Sequence, residues 1–179
     1  MKRLLALARA IDALNEGVGR MTLWLVLAAV LISAGNAVAR YGLDMSSNAW
    51  LEIQWYLFAL VFLLGAGYTL RHNGHVRIDV LYNRWSARTR AWIDLLGTLL
   101  FLMPVCALIV WLSWRGFETA YAIGERSPDA GGLLRWPIRL AIPVGFALLL
   151  LQGLSEAIKQ AAILTGDLEP VREAAEETV

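Results

Sequence analysis

Four apolar stretches of about 20 residues, each nearly free of charge, leave this chain few folds to choose from. Met21–Ala39 carries no charge between Arg20 and Arg40. The second stretch runs from about Trp50 to Leu70, the third from Trp92 to Trp114, with Glu52 and Asp94 near their starts. The fourth runs from about Leu140 to Ser155, or from Pro137 if Arg139 snorkels outward. In hydrocarbon every backbone N–H and C=O must be paired within the segment, so runs of this length are helices. A soluble four-helix bundle would need a polar face on each helix. Met21–Ala39 and Leu95–Trp114 offer almost none. Trp50, Trp92, Trp111, Trp114 and Trp136 fall at the ends of the runs, where amphipathic rings sit at headgroup level. The composition agrees: 58% of residues are hydrophobic and 17% charged, against about 45–50% and about 25% in soluble domains.

The expected fold is an all-α integral membrane protein, a single membrane domain with helices at about 18–40, 49–71, 91–115 and 137–160. Leu4, Leu7/Ala8, Ile11 and Leu14 recur at helical spacing, with Lys2, Arg3, Arg9, Asp12 and Glu16 on the other side. This pattern predicts an amphipathic interfacial helix over 1–17. Arg9 and Asp12 interrupt any apolar signal-peptide core there, so no cleaved leader is expected. Residues 166–179 are acidic and are expected to form a mobile tail. Eleven Lys and Arg residues lie before span one, between spans two and three, and after span four; five flank the opposite ends. By the positive-inside rule both termini face the cytoplasm.

Several chemistries are excluded or weakened. The net charge of +1 gives no field for nucleic acid. One thiol, Cys106, forms neither an internal disulfide nor a CxxC pair. No nucleotide-binding glycine loop, nucleophile elbow or zinc signature occurs. His72, His75 and Asp79 are conceivable metal ligands, but a hydrogen-bonded junction facing anionic lipid suits that basic segment better. No metal or cofactor is expected.

The remaining polar residues form three groups. Ala29, Ser33 and Ala37 recur every four residues in span one, with Asn36 and Arg40 close by, a face on which helices approach closely in lipid. That face serves either internal packing or docking to another membrane subunit. Glu52 is either solvated at the interface or ion-paired with Arg40; Asp94 is read as complementing a helix amino terminus. Arg71, His75 and Asp79 would share a face if the helix continued past Gly74. Gly124–Pro137 contains Pro128-Asp129 and Gly131-Gly132 turn signals, and reads as a solvated connector or, through Arg126, Asp129 and Arg135, as a docking surface.

The succession Arg40-Tyr41, Trp50-Leu51-Glu52, Gly65-Ala66, Arg71, Gly74-His75-Val76 and Asp79, with Trp136-Pro137 and Ile142-Pro143 opening span four, resembles the small membrane subunit of tripartite ATP-independent periplasmic (TRAP) transporters, the DctQ-like family. The resemblance covers most of the chain. It implies a non-enzymatic part of a bacterial inner-membrane machine. In such systems a periplasmic substrate-binding protein delivers an organic acid, and a large multi-span subunit moves it on a sodium gradient. The small subunit braces the large one, and sodium belongs to that partner. On this resemblance Arg40, Trp50, Glu52, Arg71, Gly74, His75 and Asp79 form a subunit and scaffold motif. One departure stands: many members have a second acidic residue after Glu52, where this chain has Ile53. Two alternatives stay open, an autonomous proton-coupled exporter using Glu52 and a membrane scaffold for an unrelated complex.

Overall fold

The computed structural model describes residues 1–45, 47–74, 82 and 84–169. Four helices long and apolar enough to cross a membrane dominate it: α1 (Lys2–Gly42), α2 (Asn48–Arg71), α3 (Ala87–Ala122) and α4 (Trp136–Thr165). The expected interfacial segment is not a separate helix. It continues into the first span, making α1 a single helix of 41 residues, about 60 Å long. No proline or αL residue breaks it at the junction, and Gly17 and Gly19 stay helical.

Helix ends follow local chemistry. Ser86 caps α3 by accepting from the Thr89 N–H at 3.2 Å. Pro137 lies in the first turn of α4, where a missing N–H costs nothing. Three helices stop in the same way. Asn73, Gly124 and Gly166 turn left-handed, and the amides of Gly74, Glu125 and Asp167 reach back to Thr69, Ala120 and Ala162. These paired six-to-one and five-to-two bonds satisfy the last carbonyls. The helix therefore ends at Arg71, three residues before Gly74. His75 and Asp79 themselves lie outside the described residues, as does most of the acidic tail.

The proline in span three is accommodated before it arrives. Thr98–Leu102 is a π-helical turn, and Pro104 follows in the first turn after it, so the widened turn absorbs the missing donor. Gly153 of α4 faces this turn: a Cβ there would stand 3.1 Å from Leu102. Asp94 lies beyond the first turn of α3 and accepts a hydrogen bond from the Tyr82 hydroxyl, so the expected dipole role gives way to a side-chain tether.

α4 is the hub. α1 and α2 pack on each other and on α4, while α3 packs chiefly on α4. Accordingly a third of the apolar stretch of α4 is buried, against 6% for α3. Leu100, Phe101, Leu108, Trp111 and Leu112 of α3 stay exposed, a surface suited to lipid or another membrane helix. In span one Ala29 and Asn36 turn inward while Ser33 and Ala37 stay exposed. The small-residue face is thus split between internal packing and the outer surface.

Candidate functional site

Polar side chains gather at the two ends of α2. At its amino-terminal end, Asn48, Glu52 and Tyr56 lie four residues apart on one face. All three grip the segment joining α3 to α4. Asn48 Nδ2 donates to the Ala130 carbonyl at 3.1 Å, and the Tyr56 hydroxyl donates to the Leu134 carbonyl at 3.1 Å. Between them the Glu52 carboxylate accepts the Leu133 N–H at 2.7 Å and a hydrogen bond from the Ser127 hydroxyl. Glu52 is only 4% exposed, and Arg135 lies near enough to act on its charge. Neither alternative for Glu52 holds: it is buried rather than solvated, and Arg40 is exposed in the last turn of α1. The Leu133 N–H and the Ser127 hydroxyl hold the carboxylate instead.

The gripped segment has its own order. Ser127 N–H donates to Leu133, and Arg135 N–H to Glu125, around a bridge between Arg126 and Leu134. Asp129 to Gly132 forms the turn, with Gly131 at φ 74°. A Cβ at Gly132 would stand 2.9 Å from Glu52 Oε1 and closer still to Ser127, so any larger residue would displace the groups that hold the loop. Arg139 Nη2 donates to Glu125 Oε1 at 2.7 Å, tying α4 to the loop. Arg126 and Asp129 stay exposed, whereas Arg135 is half-buried. The loop is a folded platform rather than a loose connector.

At the other end a second network joins α1, α2 and α4. Lys159 Nζ lies 2.8 Å from Asp12 Oδ2, and Asp12 Oδ1 also accepts from Ser155 at 2.7 Å and Gln152 at 2.9 Å. Glu16 meets Arg71 at 2.6 Å, His72 at 2.9 Å and Arg20 at 3.0 Å. Arg71 donates again to the Asp12 carbonyl. Asn15, fully buried, donates weakly to the Leu148 carbonyl. This corrects the amphipathic reading of the amino-terminal segment. Asp12, Asn15 and Glu16 turn toward the bundle together with the buried Ala8 and Ile11, while Leu4, Leu7 and Leu14 are exposed along with Lys2, Arg3 and Arg9. Carboxylates that leave water need the partners the other helices supply.

Asp12 and Glu16 precede the charge-free run, and both carboxyls titrate below their ordinary range. For Asp12, burial acts upward and is outweighed by hydrogen bonds from Lys159, Ser155 and Gln152 and by the Lys159 charge. For Glu16 the His72 hydrogen bond leads, with Arg20 and Arg71 adding to it against burial. A depressed folded-state pKa means that the stabilisation is present above the unfolded value and is lost as pH falls through the folded one. The detergent-solubilised chain should therefore lose thermal stability below about pH 5. Asp12→Asn should be less stable at pH 7 and show a flatter melting-temperature profile between pH 7 and 3. A profile identical to the parent would remove Asp12 from this role.

Of the residues singled out in the sequence, the structure brings Glu52 and Arg135 together at one end and builds a network on Arg71 at the other, while Trp50 is half-exposed. Gly74 serves to close α2. His72 is engaged by Glu16, and the described residues hold no group of three metal-ligating side chains. Sequence reasoning passed over Asn48, Tyr56, Asn15, Gln152, Ser155 and Lys159. Their signal was present: Asn48, Glu52 and Tyr56 repeat every four residues, and Gln152, Ser155, Glu156 and Lys159 form a helical polar stripe.

Glu52 and Arg71 stand roughly 28 Å apart along α2, close to the roughly 30 Å thickness of a bilayer core. The two polar networks thus lie about one bilayer-core thickness apart, at the two ends of α2. Residues 29–162 match the family model of tripartite ATP-independent periplasmic transporters, DctQ component. The chain belongs to the DctQ family. It is also 30% identical over 125 residues to the C4-dicarboxylate TRAP transporter small permease protein DctQ of Pseudomonas aeruginosa. That alignment covers 68% of this chain and 58% of the relative, so the chain spans under two thirds of the relative's length. No solved structure matches the chain. The DctQ family is a transporter component and not an enzyme family, and this member is a multi-pass membrane protein. Both networks fall within or beside the matched residues: Glu52, Arg71 and Lys159 are inside, and Asp12 and Glu16 precede them.

Proposed function

We propose that this chain is a bracing subunit in the bacterial inner membrane. It holds a large multi-span TRAP subunit that takes up an organic acid delivered by a periplasmic binding protein and driven by a sodium gradient. The observation that carries the reading is the position of the polar chemistry. In a DctQ-family chain, the carboxylates and their partners fasten helix to helix and helix to loop at the two ends of the spans. A brace needs rigid ends, and α3 offers the broad apolar flank that a membrane partner would cover. The amino terminus, Arg71 and Lys159 then lie on the cytoplasmic side, as the Lys and Arg distribution requires. The organic-acid substrate class rests on the family and its dicarboxylate relative. Selectivity belongs to the partner subunits.

Reconstitution tests this directly. Liposomes holding this subunit alone should take up no dicarboxylate, whereas liposomes with the large subunit should do so when binding protein and a sodium gradient are supplied. Uptake by the small subunit alone would end the bracing reading.

The outer platform supplies a docking test. Arg126 and Asp129 project from it while the backbone beneath is held. Arg126→Ala with Asp129→Ala should lower uptake at limiting binding protein by about fivefold to tenfold, the effect of losing roughly 1 kcal/mol of docking energy. Saturating binding protein should restore the rate, and the membrane complex should purify unchanged. Equal uptake at limiting binding protein would move the docking surface elsewhere.

A further inference from the structure

One face of α1 carries chemistry that the helix-joining contacts leave over. Arg9, Ala13 and Gly17 follow at four-residue spacing, Asp12, Glu16 and Arg20 run beside them, and Arg71 of α2 closes the side; together they line an open cleft of about 400 Å3. The carboxylates in it are already matched. Asp12 is held by Lys159, Ser155 and Gln152. Glu16 is held by Arg20, Arg71 and His72. Positive charge is left over. Arg9 is exposed, with no carboxylate partner among the described residues, and the Arg20 side chain is 74% exposed. Arg71, by contrast, is anchored through the Asp12 carbonyl and Glu16, which holds one wall in place.

The floor of the cleft is open, since a Cβ on Gly17 would meet nothing within 4 Å. Further along the same face, Trp24, Leu27 and Leu31 are exposed, brought into line with Arg9 and Arg20 by the 3.6-residue repeat. Guanidinium groups above an apolar strip, at the point where the charge-free run begins, match a molecule with an anionic head and a hydrocarbon tail. Arginine binds phosphate oxygens in a bidentate fork, and basic residues at a membrane surface attract anionic lipid. A zwitterionic headgroup would bring an ammonium for which the cleft has no free carboxylate. A soluble phosphate would leave the apolar strip unused.

We propose that this cleft seats the phosphate headgroup of an anionic phospholipid, with an acyl chain lying along Trp24, Leu27 and Leu31. The site needs only the four-span membrane fold, so it stands or falls independently of the transport reading.

Lipid binding to the full chain, delipidated in detergent and followed by native mass spectrometry and thermal shift, tests it. Phosphatidylglycerol should bind at least about tenfold more tightly than phosphatidylcholine and raise the melting temperature, while glycerol 3-phosphate and inorganic phosphate should not bind in that range. Arg9→Ala with Arg20→Ala should weaken phosphatidylglycerol about twenty-five-fold, from about fivefold per arginine. Gly17→Leu fills the floor without touching a charge and should weaken it comparably, while the lipid-free melt stays as in the parent. Unchanged affinity in both variants, or equal binding of the two lipids, would overturn the site. A response to inorganic phosphate equal to that of phosphatidylglycerol would make it a soluble-anion site and overturn the lipid assignment.

Discussion

Glu52→Ala should release the outer platform and sharply reduce uptake by the assembled transporter, with the four helices still folded. The carboxylate is 4% exposed and receives the Leu133 N–H and the Ser127 hydroxyl. Alanine leaves a backbone donor without its acceptor and Arg135 without its neighbouring charge. A stranded buried donor costs about 1–3 kcal/mol. Amide exchange around Ser127–Leu134 should therefore rise about tenfold or more, led by the Leu133 amide. Glu52→Gln keeps a carbonyl oxygen for one of the two donors and should fall between the parent and alanine. Parent-like exchange in Glu52→Ala would show that Asn48 and Tyr56 hold the loop unaided. Loss of uptake with exchange unchanged would instead point to a carrier role for the carboxylate.

The second large effect is expected at the crossing of α2 and α4. A Cβ on Gly145 would stand 2.7 Å from the Leu63 carbonyl oxygen and 2.8 Å from its Cβ. The first of these obstacles is backbone, so no side-chain rotation relieves it and the helices must separate. Overpacking of this kind costs about 1–3 kcal/mol, and close approach is what small residues contribute to helix association in lipid. Gly145→Ala should lower the melting temperature in detergent by roughly 5–10 °C, and Gly145→Val should yield little folded subunit. Gly65 provides the control, since its Cβ would meet nothing within 4 Å; Gly65→Ala should melt at or slightly above the parent. If Gly145→Ala melted with the parent, the two helices would not be so closely packed.

Both effects arise from placements that a single chain of letters does not display. Four charge-free runs are a local property, because the hydrocarbon thickness sets the length and the backbone must pair within each run. They determined the four spans, though not that the amino-terminal helix runs unbroken into the first. The family resemblance was likewise legible as a linear order, and residues 29–162 match the DctQ family model.

Partnerships were different. Glu52 was read as either solvated at the interface or paired with Arg40; it is buried and bound to Leu133 and Ser127, in the field of Arg135, instead. Periodicity on α1 assigned Leu4, Leu7/Ala8, Ile11 and Leu14 to one face and Lys2, Arg3, Arg9, Asp12 and Glu16 to the other, but Ala8 and Ile11 are buried beside Asp12 while Lys2, Arg3 and Arg9 are exposed. Which face turns inward depends on whether a neighbour offers complementary groups, and Gln152, Ser155 and Lys159 of α4 do so. The sequence alone determined a four-helix membrane chain of the DctQ kind, since span length and a linear motif are properties of contiguous residues. Only the tertiary structure decided that α4 is the hub, that a folded loop rests on Glu52, and that Asp12 and Glu16 of the amino-terminal helix turn toward its neighbours. Those outcomes depend on groups far apart in the chain finding partners when water is scarce.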